Sequence, residues 1–585
     1  MIKLLKRIRL REIFMCLVCA LLILGQIYFD LRLPDYMSEL TMLIQTQGSE
    51  MSSVWSTGLE MMGCVLISAV LCIACGYLSA RAASGFTMTV REELFDHVMD
   101  LGQAEMSKFS VPSLITRTTN DITQIQMVIA MGLQNLIKAP VMAVWAIIKI
   151  LGKSWELSAI TAGFVVVMCV SVLAIFSVVM PRFRLVQRLT DKINRIAREN
   201  LTGINVVHAF NAERYQNEKF DKTNTEMKNT QLFNQRLFAA MMPILQLGMN
   251  GLSLAIYWVG AALLGGIAVS NVAGRLTMFS DIVVFSTYAT YVVMAFMMLV
   301  MIFMMLPAAQ VSADRINEVL NTKPAIREGK KRTANEAGTV EFRNVNFRYP
   351  DSAADELCGI NFRVNQGETL AIIGSTGCGK TTLISLIPRL YDATSGEVLV
   401  DGVNVKEYSF EALYNRIGYI TQKAVLFSGS IAENIAFGEA QKPITETDIK
   451  NAIELAQADE FVRKLDSGIE SHIAQGGRNV SGGQKQRLSI ARALARGAEI
   501  LIFDDSFSAL DYRTDAALRA GLSDKLRDTT KIIVAQRVST IRHADKILVL
   551  DDGKIVGNGT HEELMQSCEV YQEIAKSQLS EAELS

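Results

Sequence analysis

Apolar positions are unevenly spread along this chain of 585 residues. Before about Pro307 they form long, nearly unbroken runs, and from about Thr339 onward apolar and polar residues mix on the scale of ordinary strands and helices. Windowed hydropathy predicts six membrane-spanning helices, at 13–28, 61–78, 136–151, 157–180, 237–264 and 282–306. The third is the weakest, because Lys138, Pro140 and Lys149 interrupt it. Lysines tolerated at such depth snorkel or face protein. The first run follows Lys3, Lys6, Arg7, Arg9 and Arg11, as a signal peptide would. Bulky Ile27-Tyr28-Phe29-Asp30 stands where a small-residue cleavage site would be, so the run reads as a retained span.

Charge orients the spans. The N-terminal tail is basic, Arg81, Arg91, Lys108 and Arg117 lie between spans two and three, and a longer set from Arg182 to Lys228 lies between spans four and five. The other three connections carry Arg32, Lys153 and Arg275, one each. The positive-inside rule then places both termini and the two long connections in the cytoplasm. Those connections are rich in helix formers and read as helical arms reaching inward. Residues 1–322 are therefore expected to form a transmembrane domain, 323–337 a linker containing Lys330, Lys331 and Arg332, and 338–585 a soluble domain.

Composition narrows the function classes. Half of the residues are apolar and the net charge is −1, so nothing points to nucleic acid. The nine cysteines include the pairs Cys16/Cys19 and Cys72/Cys75, both within apolar runs. They read as small packing residues, since a zinc site wants thiolates in a polar setting. No cysteine falls in an outside loop, so no disulfide is expected. Along the sixth span Met294, Met297, Met298, Met301, Met304 and Met305 recur at helical spacing, with Phe296 and Phe303 between them. This stripe reads as packing or lipid contact, with lining of a substrate path as the alternative.

The soluble half carries the chemistry. Residues 374–381 read Gly374-Ser375-Thr376-Gly377-Cys378-Gly379-Lys380-Thr381, followed by Thr382, which is the pattern G-x-x-x-x-G-K-T. An apolar strand at 369–373 precedes it and a helical pattern at 382–390 follows, the context this phosphate loop requires. Glycines let backbone amides close on phosphates, and a helix N-terminus adds positive potential. Lys380 is expected to reach the β- and γ-phosphates of ATP and Thr381 to bind Mg²⁺. Cys378 reads as a space-filler within the loop. A second acidic element ends the strand at 499–505 with Asp504, positioned to hold the Mg²⁺ shell.

Val480-Ser481-Gly482-Gly483-Gln484-Lys485-Gln486-Arg487 closely resembles the signature sequence of ABC ATPases. The resemblance implies that Tyr349 stacks on adenine, that Gln422 is the Q-loop glutamine touching Mg²⁺ and the membrane domain, and that Asp511 closes the D-loop. It also implies a head-to-tail dimer in which Ser481, Gly482, Gly483 and Gln484 face a γ-phosphate held by the opposite subunit. The membrane half resembles the B-type (type IV) exporters of the same family. In it, 114–121 looks like the first coupling region and 198–210 like the second, on inside arms that cross and dock on the cassettes. The fold class implied is a six-helix α-helical transmembrane domain fused to a mixed α/β P-loop ATP-binding-cassette domain, in a bacterial plasma membrane.

Two catalytic positions depart from the family, while the signature differs only by Val480 for leucine, a mild apolar swap. The residue after Asp504, normally the glutamate that positions the attacking water, is Asp505, one methylene shorter. The switch histidine is replaced by Gln536. Losing a positioned base costs about 10²–10⁴-fold in rate. Both departures beside an intact phosphate loop and signature predict a heterodimer. In it this chain's own ATP site is slow, and its signature completes a competent site on a second, non-identical half-transporter. The expected cargo is an amphipathic compound, whether drug-like, lipid or peptide, leaving the cytoplasm. A homodimeric exporter with weak ATPase and a non-transporting ATP-gated regulatory subunit are the alternatives. An importer fits less well, because the cassette is fused behind its own spans.

Overall fold

The computed structural model describes residues 2–45, 50–151, 154–268, 271–440 and 442–578. Lys153 and the side chains of Arg184, Phe303 and Met304 lie outside the described residues. The chain divides into two compact units. One comprises Met1–His97 and Pro112–Asn321, the other Val98–Val111 and Thr322–Ser585.

In the first unit every predicted span lies inside a longer helix: Leu10–Gln45, Met51–Asp100, Ile122–Leu151, Trp155–Thr202, Glu213–Gly266 and Val272–Asn321. A helix of 50 residues such as Met51–Asp100 is about 75 Å long at 1.5 Å per residue, far beyond a ~30 Å hydrocarbon core. The excess is the helical arm that the polar connections forecast. Buried residues recur every three or four positions, as in Cys19, Ile23, Ile27 and Leu31 of the first helix and Ala139, Met142, Ala146 and Ile150 of the third. They pack against Phe285, Tyr288, Ala289 and Val292 of the sixth. Cys19 and Cys75 meet sulfur to sulfur at 3.0 Å within this core.

The lysines that weakened the third span are paired with the first helix. Lys149 lies 2.7 Å from Asp35, and Lys138 lies 3.4 Å from Asp30. The Tyr288 hydroxyl donates to Asp35 Oδ1 and to the Leu31 carbonyl, both at 2.9 Å. Such pairing is what lets charge persist among apolar helices.

The expected first coupling region, 114–121, belongs to this membrane unit, where Arg117–Asp121 forms one π-helical turn. It is tied to the sixth helix. Arg117 Nη1 donates to the Arg315 carbonyl at 2.7 Å and pairs with Glu318 at 2.8 Å, and Ser312 donates to Asp121 at 2.8 Å. Val98–Val111, which contains the short helix Gln103–Lys108, groups with the second unit.

The second unit is built on two sheets. Strands β1 (Val340–Phe347), β2 (Leu357–Val364), β4 (Ser395–Val400) and β5 (Val403–Asn404) form an antiparallel sheet in the order β2-β1-β4-β5. Strands β3 (Thr369–Gly374), β6 (Ile417–Ile420), β9 (Ile500–Asp504), β10 (Thr530–Val534), β11 (Lys546–Asp551) and β12 (Lys554–Gly559) form the larger sheet, ordered β12-β11-β3-β10-β9-β6. A two-stranded ribbon joins β7 (Gly429–Ser430) to β8 (His472–Ile473). Within the large sheet all pairings are parallel except that of β12. Strands buried on both faces read as continuous apolar runs, as Ile500-Leu501-Ile502-Phe503 does. The helix after β3 is shorter than the 382–390 pattern implied. It ends as Lys380–Ser385, three residues before Pro388, whose ring and missing N–H disfavour continuation.

Candidate functional site

Parallel order places four loop-bearing strand ends side by side. β3 runs into the phosphate loop, β10 into Gln536, β9 into Asp504 and Asp505, and β6 into Gln422, in the sheet order β3-β10-β9-β6. Ligands of open parallel sheets bind at such carboxyl ends.

The loop itself is shaped by its glycines. Gly377 and Gly379 have φ of 88° and 96°, a region that glycine enters freely. A Cβ on Gly374 would stand 2.0 Å from the Leu550 carbonyl, so only glycine lets the strand pass β11 there. Ser375, Thr376 and Gly377 are exposed, whereas Cys378 and Gly379 are buried, with Cys378 in the apolar core as a space-filler. The Lys380 ammonium folds back across the loop, donating to the Gly374 and Ser375 carbonyls at 2.9 and 2.6 Å.

Thr381 and Asp504 converge, with the Thr381 hydroxyl donating to Asp504 Oδ1 at 3.0 Å. Asp504 is only 3% exposed, and burial pushes its carboxyl above the usual aspartate range. Tyr419 on β6 lies beside the same carboxylate and draws it down against that burial. An oxygen-only pair of this kind suits a hard cation such as Mg²⁺, so the residues present fit it. Tyr349 is half-buried. Its ring meets Phe347 and Tyr391 edge-on, with centroids 4.8 and 5.3 Å away, and its hydroxyl pairs with that of Thr382 at 2.8 Å.

Asp505 and Gln536 lie together. Gln536 Nε2 donates to Asp505 Oδ2 at 2.8 Å, and Gln422 Nε2 approaches the same oxygen at 3.4 Å. Asp505 has φ of 45°, a left-handed conformation that aspartate tolerates better than most residues. Its amide donates to the Val534 carbonyl at 3.1 Å, and its carbonyl accepts from the Ser508 hydroxyl at 2.8 Å. Burial raises its carboxyl above the usual range, against the pull of Gln422 and Ser508.

The signature residues stand apart from this cluster. Ser481 caps the helix Gly482–Ala495, its hydroxyl accepting from the Gln484 amide at 3.3 Å while Gln484 Oε1 accepts from the Ser481 amide at 2.9 Å. That is a capping box, which accounts for Gln484 at this spacing. Ser481 and Gly482 are exposed, and among the described residues no hydrogen bond joins them to the phosphate loop of the same chain. Asp511, also exposed, caps the helix Tyr512–Lys525 through the Thr514 amide at 3.0 Å.

Two participants escaped the sequence reading. One is Tyr419, which carries no motif. The other is Gln578 in the C-terminal helix Glu569–Gln578. Its side chain donates to the Gln536 carbonyl at 2.8 Å and accepts from the Val538 amide at 2.9 Å, bracketing the segment that presents Gln536.

Known proteins align along most of this length. Residues 357–508 match the family described as "ABC transporter", and residues 13–296 match "ABC transporter transmembrane region". An ABC transporter ATP-binding protein of Mycobacterium tuberculosis is 39% identical over 525 residues, 89% of this chain and 88% of the relative. The ATP-dependent lipid A-core flippase of Escherichia coli K12 is 31% identical over 532 residues, 90% and 89% respectively. Among solved structures, a bacterial Atm1-family ABC exporter with ATP bound superimposes with a TM-score of 0.80 at 23% identity, covering 98% of this chain and 100% of that one. At that identity the likeness concerns the fold.

Proposed function

Because this chain belongs to the ABC transporter family, we propose that it is one half of an ATP-driven exporter whose other half is a non-identical chain. The observation that carries the asymmetry is the Gln536–Asp505 hydrogen bond. The carboxylate that would orient a water is one methylene short and already holds an amide at 2.8 Å. A histidine there would offer a titratable partner, and Gln536 offers none. This chain's own ATP is therefore held and turned over slowly.

Holding falls to the loop amides of 374–379, Lys380 and the Tyr349 ring, with Thr381, Asp504 and Gln422 around Mg²⁺. When bound, Mg²⁺ neutralises charge shared between the β- and γ-phosphates. The exposed Ser481 and Gly482, on a helix N-terminus, suit a γ-phosphate presented by the other half. They supply the donors that the partner's site lacks within its own chain.

Coupling runs through the inside arms. The short helix Ile204–Ala209 buries none of its own residues, and Val206 and Phe210 are 60% and 79% exposed. The cassette carries a groove lined by Tyr414, Val425, Phe427 and Phe437 together with Arg492 and Arg496. Closing of the paired cassettes on ATP would move the arms and turn the membrane cavity outward. Hydrolysis at the partner's site would reset it. The cargo is an amphipathic compound leaving the cytoplasm. Met294 and Met301 are 42% and 47% exposed along the sixth helix, adaptable surface for such a cargo. Both termini and the cassette lie in the cytoplasm, on the charge distribution of the connections.

The test is ATP turnover by the purified single chain in lipid bilayers. Mg·ATP is expected to bind with hydrolysis close to background. Brisk hydrolysis without a second chain would overturn the heterodimer reading and leave the family assignment standing.

A further inference from the structure

Away from the strand ends that form the ATP site, a cavity of about 440 Å³ opens beside the beginnings of β3 and β10. Its walls come from the helix Tyr512–Lys525 and from the segment 539–544 that follows Gln536. Two polar side chains more than nine-tenths buried line it, Lys531 at 5% exposure and Thr540 at 6%. Among the described residues neither the Lys531 ammonium nor the Thr540 hydroxyl makes a hydrogen bond or close ion pair. The residues are buried as a whole but these two polar atoms are not sealed off, so they face the open space of the cavity, where a ligand can reach them.

The neighbouring charges leave both atoms available to a ligand. Asp545, the acid nearest in influence to Lys531, accepts from the Thr369 amide at 2.8 Å and lies beyond ion-pair distance. Asp515 is held by Arg519 through two hydrogen bonds of 2.9 and 3.2 Å. Arg519 spends its third nitrogen on the Ser539 and Thr540 carbonyls, at 3.1 and 3.3 Å, so it fixes the wall and leaves Lys531 as the available cation. His543 stands at the rim as a further donor, and Ala516, Ile533 and Ile541 make the rest of the surface apolar.

We propose that this cavity is a second ligand site on the cassette, for a small organic anion. A carboxylate or phosphate head would sit on Lys531 and Thr540, with an apolar body against Ala516, Ile533 and Ile541. Its position gives occupancy a consequence. One wall begins at Asp511 and the other follows Gln536, so a ligand bridging them stiffens the two segments that must adjust when cassettes pair.

The test uses the full-length protein in detergent with Mg²⁺ and saturating ATP, so that the phosphate loop is filled. Benzoate and phenyl phosphate serve as anionic probes and benzyl alcohol as their neutral counterpart, with binding read by calorimetry. The expected result is binding of at least one anion, with benzyl alcohol about tenfold weaker or more. Lys531→Met is expected to weaken the anion by about tenfold or more and Thr540→Val by a smaller factor, with ATP binding unchanged in both. Preference for benzoate assigns the head as carboxylate, and preference for phenyl phosphate assigns it as phosphate. The proposal is overturned if neither anion binds, if benzyl alcohol binds as tightly as the anions, or if Thr540→Val and Lys531→Met both bind like the native chain.

Discussion

Rebuilding the two departing positions together, as Asp505→Glu/Gln536→His, probes the ATP site most deeply. In the native chain Gln536 holds Asp505 Oδ2 at 2.8 Å, with Gln422 at 3.4 Å from the same oxygen. A hydrogen bond to a charged group contributes about 1.5–3 kcal/mol. Freeing the carboxylate to take a water therefore costs roughly ten- to a hundredfold before chemistry begins, at about 1.4 kcal/mol per decade. A positioned base adds ~10²–10⁴-fold. Against this, glutamate must adopt the φ of 45° now held by Asp505, a penalty of about 1–2 kcal/mol or roughly a decade in rate. The net expectation is a gain of at least about 10²-fold in turnover. The assay is steady-state ATP hydrolysis by the purified chain in nanodiscs, at concentrations where it pairs with itself. Each copy then presents a phosphate loop to one site and Ser481 to the other. The reasoning is refuted if the rebuilt chain binds Mg·ATP and self-associates yet hydrolyses no faster than the native chain.

Three further outcomes follow from particular residues. Burial holds the Lys531 ammonium below the ordinary lysine range, so its penalty on folding is full at neutral pH and is relieved as pH rises from the folded value to the unfolded one. Lys531→Met should thus raise the apparent unfolding midpoint at pH 7 and flatten its rise toward alkaline pH, and an unchanged midpoint at pH 7 would contradict this. Gln578→Ala removes two hydrogen bonds worth about 0.5–1.5 kcal/mol each from the Gln536 segment. It should speed amide exchange across 535–541 with little change in ATP affinity, and unaltered exchange would return the C-terminal helix to a passive role. Phe210→Ala, at a position 79% exposed in the single chain, should leave its thermal stability unchanged while lowering transport by the assembled pair, and unimpaired transport would remove the residue from the coupling path.

Much of the architecture was legible because its signals are local. Eighteen or so apolar residues in a row have few structural outlets other than a membrane helix. The phosphate loop announces itself through glycines whose positive φ and close approach to Leu550 admit little else. Helix ends were less legible, since the arms continue on polar residues whose helicity comes from packing and propensity. Residues 114–121 carry a conspicuous polar motif, in which Arg117 and Asp121 brace the sixth helix, a partnership only the fold reveals. The contact that matters most to the chemistry, Gln536 on Asp505, joins residues 31 apart through adjacent parallel strands. The two odd residues were visible singly, and only the strand order makes them a pair. Tyr419 and Gln578 were beyond reach, because a tyrosine on a strand and a glutamine near the C-terminus have no signature until the fold sets them beside Asp504 and Gln536.

The central claim is that this chain donates its signature to a competent site while its own base is idle. Steady-state ATP hydrolysis by the purified pair of halves, with assembly checked for each variant, tests it directly. Asp505→Asn alters the slow site, and much of the pair's activity should survive. Ser481→Arg drives a bulky cation into the place reserved for the partner's γ-phosphate and removes a hydroxyl donor from a reaction governed by positioning and electrostatics. It should abolish most turnover although the partner's own residues are intact. If Asp505→Asn silences the pair as completely as Ser481→Arg does, the two sites are equivalent and the division of labour is wrong.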